Sequence, residues 1–477
     1  MTDQLNTTPR YLLPLMFIST LLLSLCMSGP TQAAEATPSG LQTLQTIDDS
    51  QVAARALNIR AWSTHEGTSV LFIETRELPI VDLSLRFSAG SSRDQELPGL
   101  ANMTLKLLNQ GVNGMDAKAI AETFDHLGAQ LTLSLDKDEA RLNLRTLSDS
   151  ETRKSAVEMF TRLVTQPAFT TTSVDRARTS ALNTLKLVQQ NPAAATQHAL
   201  YKQLYGSHPY ASPSEGNAQS LTLIDAEKIR GFYQQAYTAA NALLVIVGDI
   251  SGEEATRLSI AISQALPQSS ALAPVGLAID RTRTASHNHS DAATSQSFIM
   301  LAQPGLPANH PDYVALQVGS LIFGGSSSSR LINELRHKRG LTYSAAAFMP
   351  LWQAGGPWTI SLQTAPDQQE AAITLVKELF AEWLRDGPTN EELVAVKKRL
   401  AGNLPLASAS NAQMVQQLLI MGAHGLPRNF DALVTKAQQL TQQDITAAMR
   451  AHFRADQWQI SSLGPTVEQR PLPPITP

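Results

Sequence analysis

The sequence carries a faint copy of itself. Leu144, Arg145 and Thr146 match Leu362, Gln363 and Thr364, 218 residues later, and each triplet opens a polar turn followed by an amphipathic helix. Phe160 then answers Phe380, and Leu185 answers Leu404. Near the end of each copy, Tyr237 and a strand closing at Gly248 correspond to Phe453 and a strand closing at Gly464, 216 residues on. Order kept at a nearly constant offset is the mark of duplication, and it restricts the chain to two modules built from the same succession of elements. They are placed at about 50–265 and 290–470, each the size of a large single domain. Residues 266–289, rich in Pro, Ala and Ser between 267 and 284, read as the linker.

The first 34 residues stand outside this pattern. Arg10 precedes an apolar run over residues 11–27, broken by Ser19, Thr20 and Ser24, with the small residues Ala33 and Ala34 beyond it. This is the layout of a secretory signal peptide, 1–34, cleaved near 33–36. The run is roughly 16 residues, short of the ~20 that a spanning helix needs, and Pro14 interrupts it, so the expectation is secretion rather than a membrane anchor. Cys26 follows Leu25, where a lipoprotein signal would carry a small residue. It is the single cysteine, so the mature chain would have none and could work in an oxidising compartment, most simply a bacterial periplasm, without disulfides. Lys and Arg number 37 against 41 Asp and Glu, with no long basic run to neutralise a row of phosphates, which argues against a nucleic-acid partner.

Within the first module, 69–74 and 81–89 have strand-like apolar runs, while 116–127 has helical periodicity and stops at Gly128. Residues 131–135 and 140–146 read as a hairpin, followed by helices at 151–166, 173–190 and 221–236 and a buried strand at 243–247. The fold class is therefore α+β, two duplicated modules in which a mostly antiparallel sheet packs against helices.

Five stretches in the first half resemble the amino-terminal half of insulinase/pitrilysin family metallopeptidases: 79–90, 99–111, the Gly128-Ala129 helix stop, Ser207-His208-Pro209-Tyr210, and 243–249. In the second half, Gly324-Gly325, four serines and Arg330-Leu331 run into Glu334-Leu335-Arg336 and then Gly340-Leu341-Thr342-Tyr343. This is similar to the family's stretch of Leu-Arg, a short spacer, Gly-Leu and Tyr. The family's chemistry uses an inverted zinc motif, H-x-x-E-H, in which two imidazoles one helical turn apart grip the metal and the Glu takes a proton from its water. Counted back from Gly111, the matching positions are Asn102, Met103, Thr104, Leu105 and Lys106. The third ligand, a Glu on a later helix, falls near Asn183 or Thr184, in a stretch with no acidic residue between Arg176 and Glu215. An amide ligates zinc poorly, leucine accepts no proton, and the cation of Lys106 repels a metal. The resemblance thus implies no cofactor in this chain.

Other constellations carry less. His287, His289 and Asp291 are the tightest histidine cluster but lie at the edge of the linker and read as solvated loop. His208, between Ser207 and Pro209, reads as a packed turn histidine. No Gly-x-Ser-x-Gly elbow is present, and no Lys-Ser or Lys-Thr pair follows Gly324-Gly325 to make a phosphate loop, which the resemblance treats as a flexible loop.

What the resemblance retains is Arg336 and Tyr343, which in active members hold substrate near the zinc of the other half. Guanidinium and phenol are both donors suited to a peptide carbonyl and its oxyanion. Some members of the family work as two homologous chains, one bearing the zinc motif and one lacking it. The resemblance therefore implies a non-catalytic subunit of a periplasmic zinc peptidase, with zinc in an H-x-x-E-H partner and an unfolded polypeptide as substrate. A non-proteolytic peptide-binding or scaffold protein that keeps the fold is the alternative, and an active peptidase with a rebuilt site a third.

Overall fold

The computed structural model describes residues 57–275 and 279–475, so the expected signal peptide lies outside the described residues. The first module holds β1 (Arg60–Ser63), β2 (Ser69–Glu74), β3 (Ile80–Phe87), the short pair β4 (Gly111–Val112) and β5 (Met115–Asp116), then β6 (Gln130–Leu135), β7 (Ala140–Leu147) and β8 (Ala242–Gly248). The second holds β9 (Ser286–Asp291), β10 (Ser297–Pro304), β11 (Ala345–Phe348), β12 (Pro357–Thr364) and β13 (Gln459–Gly464).

The duplication is visible in the sheets. The first is ordered β1-β2-β8-β3-β7-β6 and the second β11-β12-β10-β13-β9. Read from β6 and from β11, the two run alike: antiparallel at each step until the last shared pair, β8 with β2 and β13 with β9, which is parallel. The matched aromatics Phe160 and Phe380 are both fully buried under their own sheets. In the second module Phe380 joins Trp358, Phe323, Phe453 and Trp458, with Trp358 4.9 Å from both Phe380 and Phe453.

Each module lends the other a helix. Along β2, β3 and β8 almost every residue is buried, which requires cover on both faces of the sheet. One face meets the module's own helices; on the other, Leu71, Ile73, Leu243, Val245 and Val247 pack on Met414, Val415 and Leu418 of the second module's helix Asn411–His424. In return, the first module's helix Pro192–Tyr205 lies on β10 and β13, burying Leu200, Tyr201 and Leu204 against Met300 and Ala302. Trp352 of the second module closes the junction, its ring 4.8 Å from that of Tyr210 and 5.6 Å from that of Tyr201. Below it, buried Asp138 accepts the Tyr210 hydroxyl at 2.8 Å and the Gln353 amide at 2.7 Å, while the Ala354 amide donates to Tyr210. The modules are thus one packed body over residues 57–475.

Several expectations need correction. The helix expected over 221–236 is two, Ala218–Leu223 and Ala226–Ala236, because the Asp225 side chain caps the Lys228 amide and starts a new helix. Helix Pro192–Tyr205 was not expected at all; Asn191 caps it with Pro192 in its first turn. The linker ends before residue 286, where β9 begins, so His287, His289 and Asp291 belong to an edge strand and not to a solvated loop. Both imidazoles bond the Ser462 hydroxyl of β13, and partial desolvation of its ring there pushes His287 below its ordinary pKa. Among the described residues no helix is long and apolar enough to cross a membrane.

Candidate functional site

The degenerate motif sits on helix Leu100–Leu107. Gly99 enters it at φ +96°, a left-handed value that only glycine adopts without strain, and Asp94 satisfies the first free amides: its two oxygens accept from Gly99 and Ala101 at 2.7 Å each. Asn102 is half-buried, Lys106 is exposed, and Leu105 is part of the module's core. The helix packs against Thr171–Gln189, which carries Asn183 on its exposed side. The two helices that would supply zinc ligands are therefore together, and none of the four matched positions carries a ligand or a proton acceptor.

Burial pushes the Asp94 carboxyl up to about 7 from an ordinary 3.8, against the pull of its two amide bonds and of Lys137. The folded chain then keeps a proton that the unfolded chain has released. The contribution is fully present below pH 3.8 and is lost as pH rises through about 7. Denaturant titrations between these limits should show stability falling with pH, and Asp94→Asn should flatten that slope; an unchanged slope would assign it to other groups.

Arg336 lies in a π-helical turn, Ile332–His337, in which the Lys338 amide reaches back five residues to the Asn333 carbonyl at 3.0 Å. Such turns concentrate at functional positions because they widen the helix locally. Gly340 at φ +60° reverses the chain, its amide on the Arg336 carbonyl, and the Leu341 amide returns to Leu335. Buried Leu335 and Leu341 pin the two ends of this turn. Between them Arg336, His337 and Lys338 are exposed, and the Arg336 guanidinium carbon stands 4.5 Å over the centroid of the Tyr343 ring. Tyr343 is 81% exposed, the most exposed of the large hydrophobic side chains among the described residues.

The neighbouring charges do not neutralise Arg336. Glu334 is taken by Lys338 and by Arg339, at 2.7 Å from the latter, and Arg336 forms no ion pair among the described residues. A cation held over an aromatic face and free of carboxylates keeps its donors available. Ser344, next in the chain, lines a groove of about 400 Å³ between Ala193 and Gln197 of the borrowed helix and Phe298, Met300 and Phe348 of the sheet, with no charged side chain in its walls. No sequence signal could reveal that groove, since its walls come from four separate segments.

Two smaller expectations resolve here. Gly324 is not in a flexible loop: it ends the buried helix Tyr313–Gly324, and a Cβ there would stand 2.5 Å from the Ala347 amide nitrogen of β11. His208 is buried, its Nδ1 accepting the Tyr210 amide at 3.1 Å.

Residues 69–217 match the insulinase (peptidase family M16) family, and residues 223–400 match the peptidase M16 inactive domain. A crystal structure of a peptidase M16 inactive domain from Pseudomonas fluorescens is 41% identical, covers 87% of this chain and 100% of its own, and superposes with a TM-score of 0.83. The chain belongs to the M16 family. Within M16 it is an inactive homologue. Asn102, Leu105, Lys106 and Asn183 stand where the resemblance expects zinc ligands and a general base. Among the more distant M16 relatives, a protein named non-peptidase homolog YmxG from Helicobacter pylori is 24% identical over 80% of this chain and 88% of its own. A protease structure from Helicobacter pylori, 16% identical, shares the fold with a TM-score of 0.80 over 86% of this chain and 100% of its own.

Proposed function

We propose that this chain is the non-catalytic subunit of a periplasmic zinc peptidase, binding unfolded peptides and presenting them to the zinc of a homologous H-x-x-E-H partner. The observation that carries the reading is an asymmetry. All positions for zinc chemistry are lost, yet the donor pair Arg336 and Tyr343 is kept, assembled 4.5 Å apart and exposed. A donor pair without a metal of its own has a use when an oxyanion forms at someone else's. The uncharged groove beside Ser344 supports an extended, apolar segment as ligand. The name of the Helicobacter pylori relative favours the second reading, a scaffold that captures peptides without proteolysis.

Mixing separates the two. The mature chain alone should cleave no unstructured peptide. With a zinc-bearing M16 homologue from the same source it should elute as one complex, held by an interface above the ~1,000 Å² of specific pairs, and peptide turnover should rise on mixing. Separate elution at micromolar concentration with unchanged turnover, while labelled peptide still binds this chain, would establish the scaffold instead.

A further inference from the structure

We infer that His310, Asp312 and His452 form a zinc site in the second module, separate from the degenerate motif and independent of the function proposed above. His310 and Asp312 are two residues apart, and His452 lies 140 residues beyond Asp312. His310 lies in the turn after β10, where its carbonyl accepts the Tyr313 amide, Asp312 stands at the entrance of helix Tyr313–Gly324, and His452 is the last residue of helix Gln442–His452. Those two helices pack on one another, which fixes the approach.

One candidate ligand atom from each residue lies within 4.8 Å of the other two, and no other such group of histidines and acids occurs among the described residues. His452 Nε2 is 2.8 Å from Asp312 Oδ2, and the two imidazoles meet edge to face with centroids 5.1 Å apart. All three side chains are half-buried, so the site is shielded yet open to solvent on one side.

The aspartate's posture is informative. An Asp at a helix entrance often turns its carboxylate onto the free amides of the first turn, as Asp116, Asp149 and Asp225 do here, although Asp431, like Asp312, does not. Asp312 makes no such cap and directs its carboxylate to His452.

Two imidazoles and one carboxylate are a zinc donor set, whereas calcium and magnesium prefer oxygen alone. Zinc bonds of about 2.0–2.2 Å would place the ligand atoms roughly 3.3–3.5 Å apart, so binding has to open the 2.8 Å edge between His452 and Asp312 while His310 settles at the same distance from both. His310 can follow, because its Nδ1 is held only by a 3.1 Å contact from the Asp312 amide. Each ring binds as the neutral imidazole, His452 shifting its proton from Nε2 to Nδ1. The fourth position is left for water or for a donor from another molecule. With zinc in place, the end of helix Gln442–His452, which leads into β13, is tied to the start of Tyr313–Gly324.

The test is titration of the full mature chain with zinc alone, in competition with a chromophoric chelator at neutral pH. One saturable equivalent is expected, with His310→Ala and Asp312→Asn each weakening it roughly tenfold or more. His287→Ala and Asn102→Ala, remote from the cluster, should bind as the parent does. Zinc should also raise the unfolding temperature of the parent reversibly with chelator, and not that of His310→Ala. No saturable equivalent, or binding and thermal shift that survive both His310→Ala and Asp312→Asn in folded protein, would overturn the site.

Discussion

Replacing Arg336 by alanine, or Tyr343 by phenylalanine, should lower peptide turnover by the proposed two-chain enzyme about 10²-fold or more, the usual consequence of removing an oxyanion donor. The two substitutions remove different things. Tyr343→Phe keeps the ring on which Arg336 rests and deletes only the hydroxyl, whereas Arg336→Ala removes the cation from above the ring. Complex size and the partner's zinc content should not change in either. Lys338→Ala is the control, since Lys338 belongs to the same charged run but spends its ammonium on Glu334. Equal and small losses from all three would make Arg336 and Tyr343 structural residues and would remove the mechanism, whatever the partner proved to be.

The second large effect concerns the junction of the modules. Trp352 is 5% exposed and its ring packs on Tyr201, Tyr205 and Tyr210 at 5.6, 6.1 and 4.8 Å, so Trp352→Ala opens a cavity at the junction of the two modules, whose packed walls cannot easily collapse onto it. The expected cost is about 3–5 kcal/mol. It should appear as a lower midpoint in denaturant with the slope kept, and Trp352→Phe should lose less. A loss below ~1 kcal/mol for the alanine variant would mean that the exchanged helices hold the modules without the tryptophan.

The duplication was legible because matched burial demands matched letters. Phe160 and Phe380 fill the same place under equivalent sheets, and the strands ending at Gly248 and Gly464 are the equivalent β8 and β13. Helix Pro192–Tyr205 was not legible, although Asn191 and Pro192 are ordinary signals for a helix start. Its apolar residues face another module rather than their own, so they do not align with the rest of the first copy as a core stripe. The edge strand β9 was missed for a related reason: all six of its residues are exposed, and a polar segment pairs as a strand here only because β13 offers it a ladder.

The sequence by itself determined the negative chemistry. Whether a position can ligate zinc or accept a proton is a property of the side chain, and at the positions that the resemblance matches the sequence places Asn102, Leu105, Lys106 and Asn183, which are poorly suited to either. It also determined the two-module plan, since a repeated order of apolar runs folds into a repeated order of strands. Only the tertiary structure decided which charges remain uncompensated. Arg336 is one base in a run of four until Glu334 is seen to be occupied by Lys338 and Arg339 and the guanidinium to rest on an exposed ring. In the same way His452 became a neighbour of His310 and Asp312, some 140 residues earlier in the chain, only through the packing of two helices. Electrostatic and coordinative interactions act over a few ångströms of space, and a linear sequence does not record that distance.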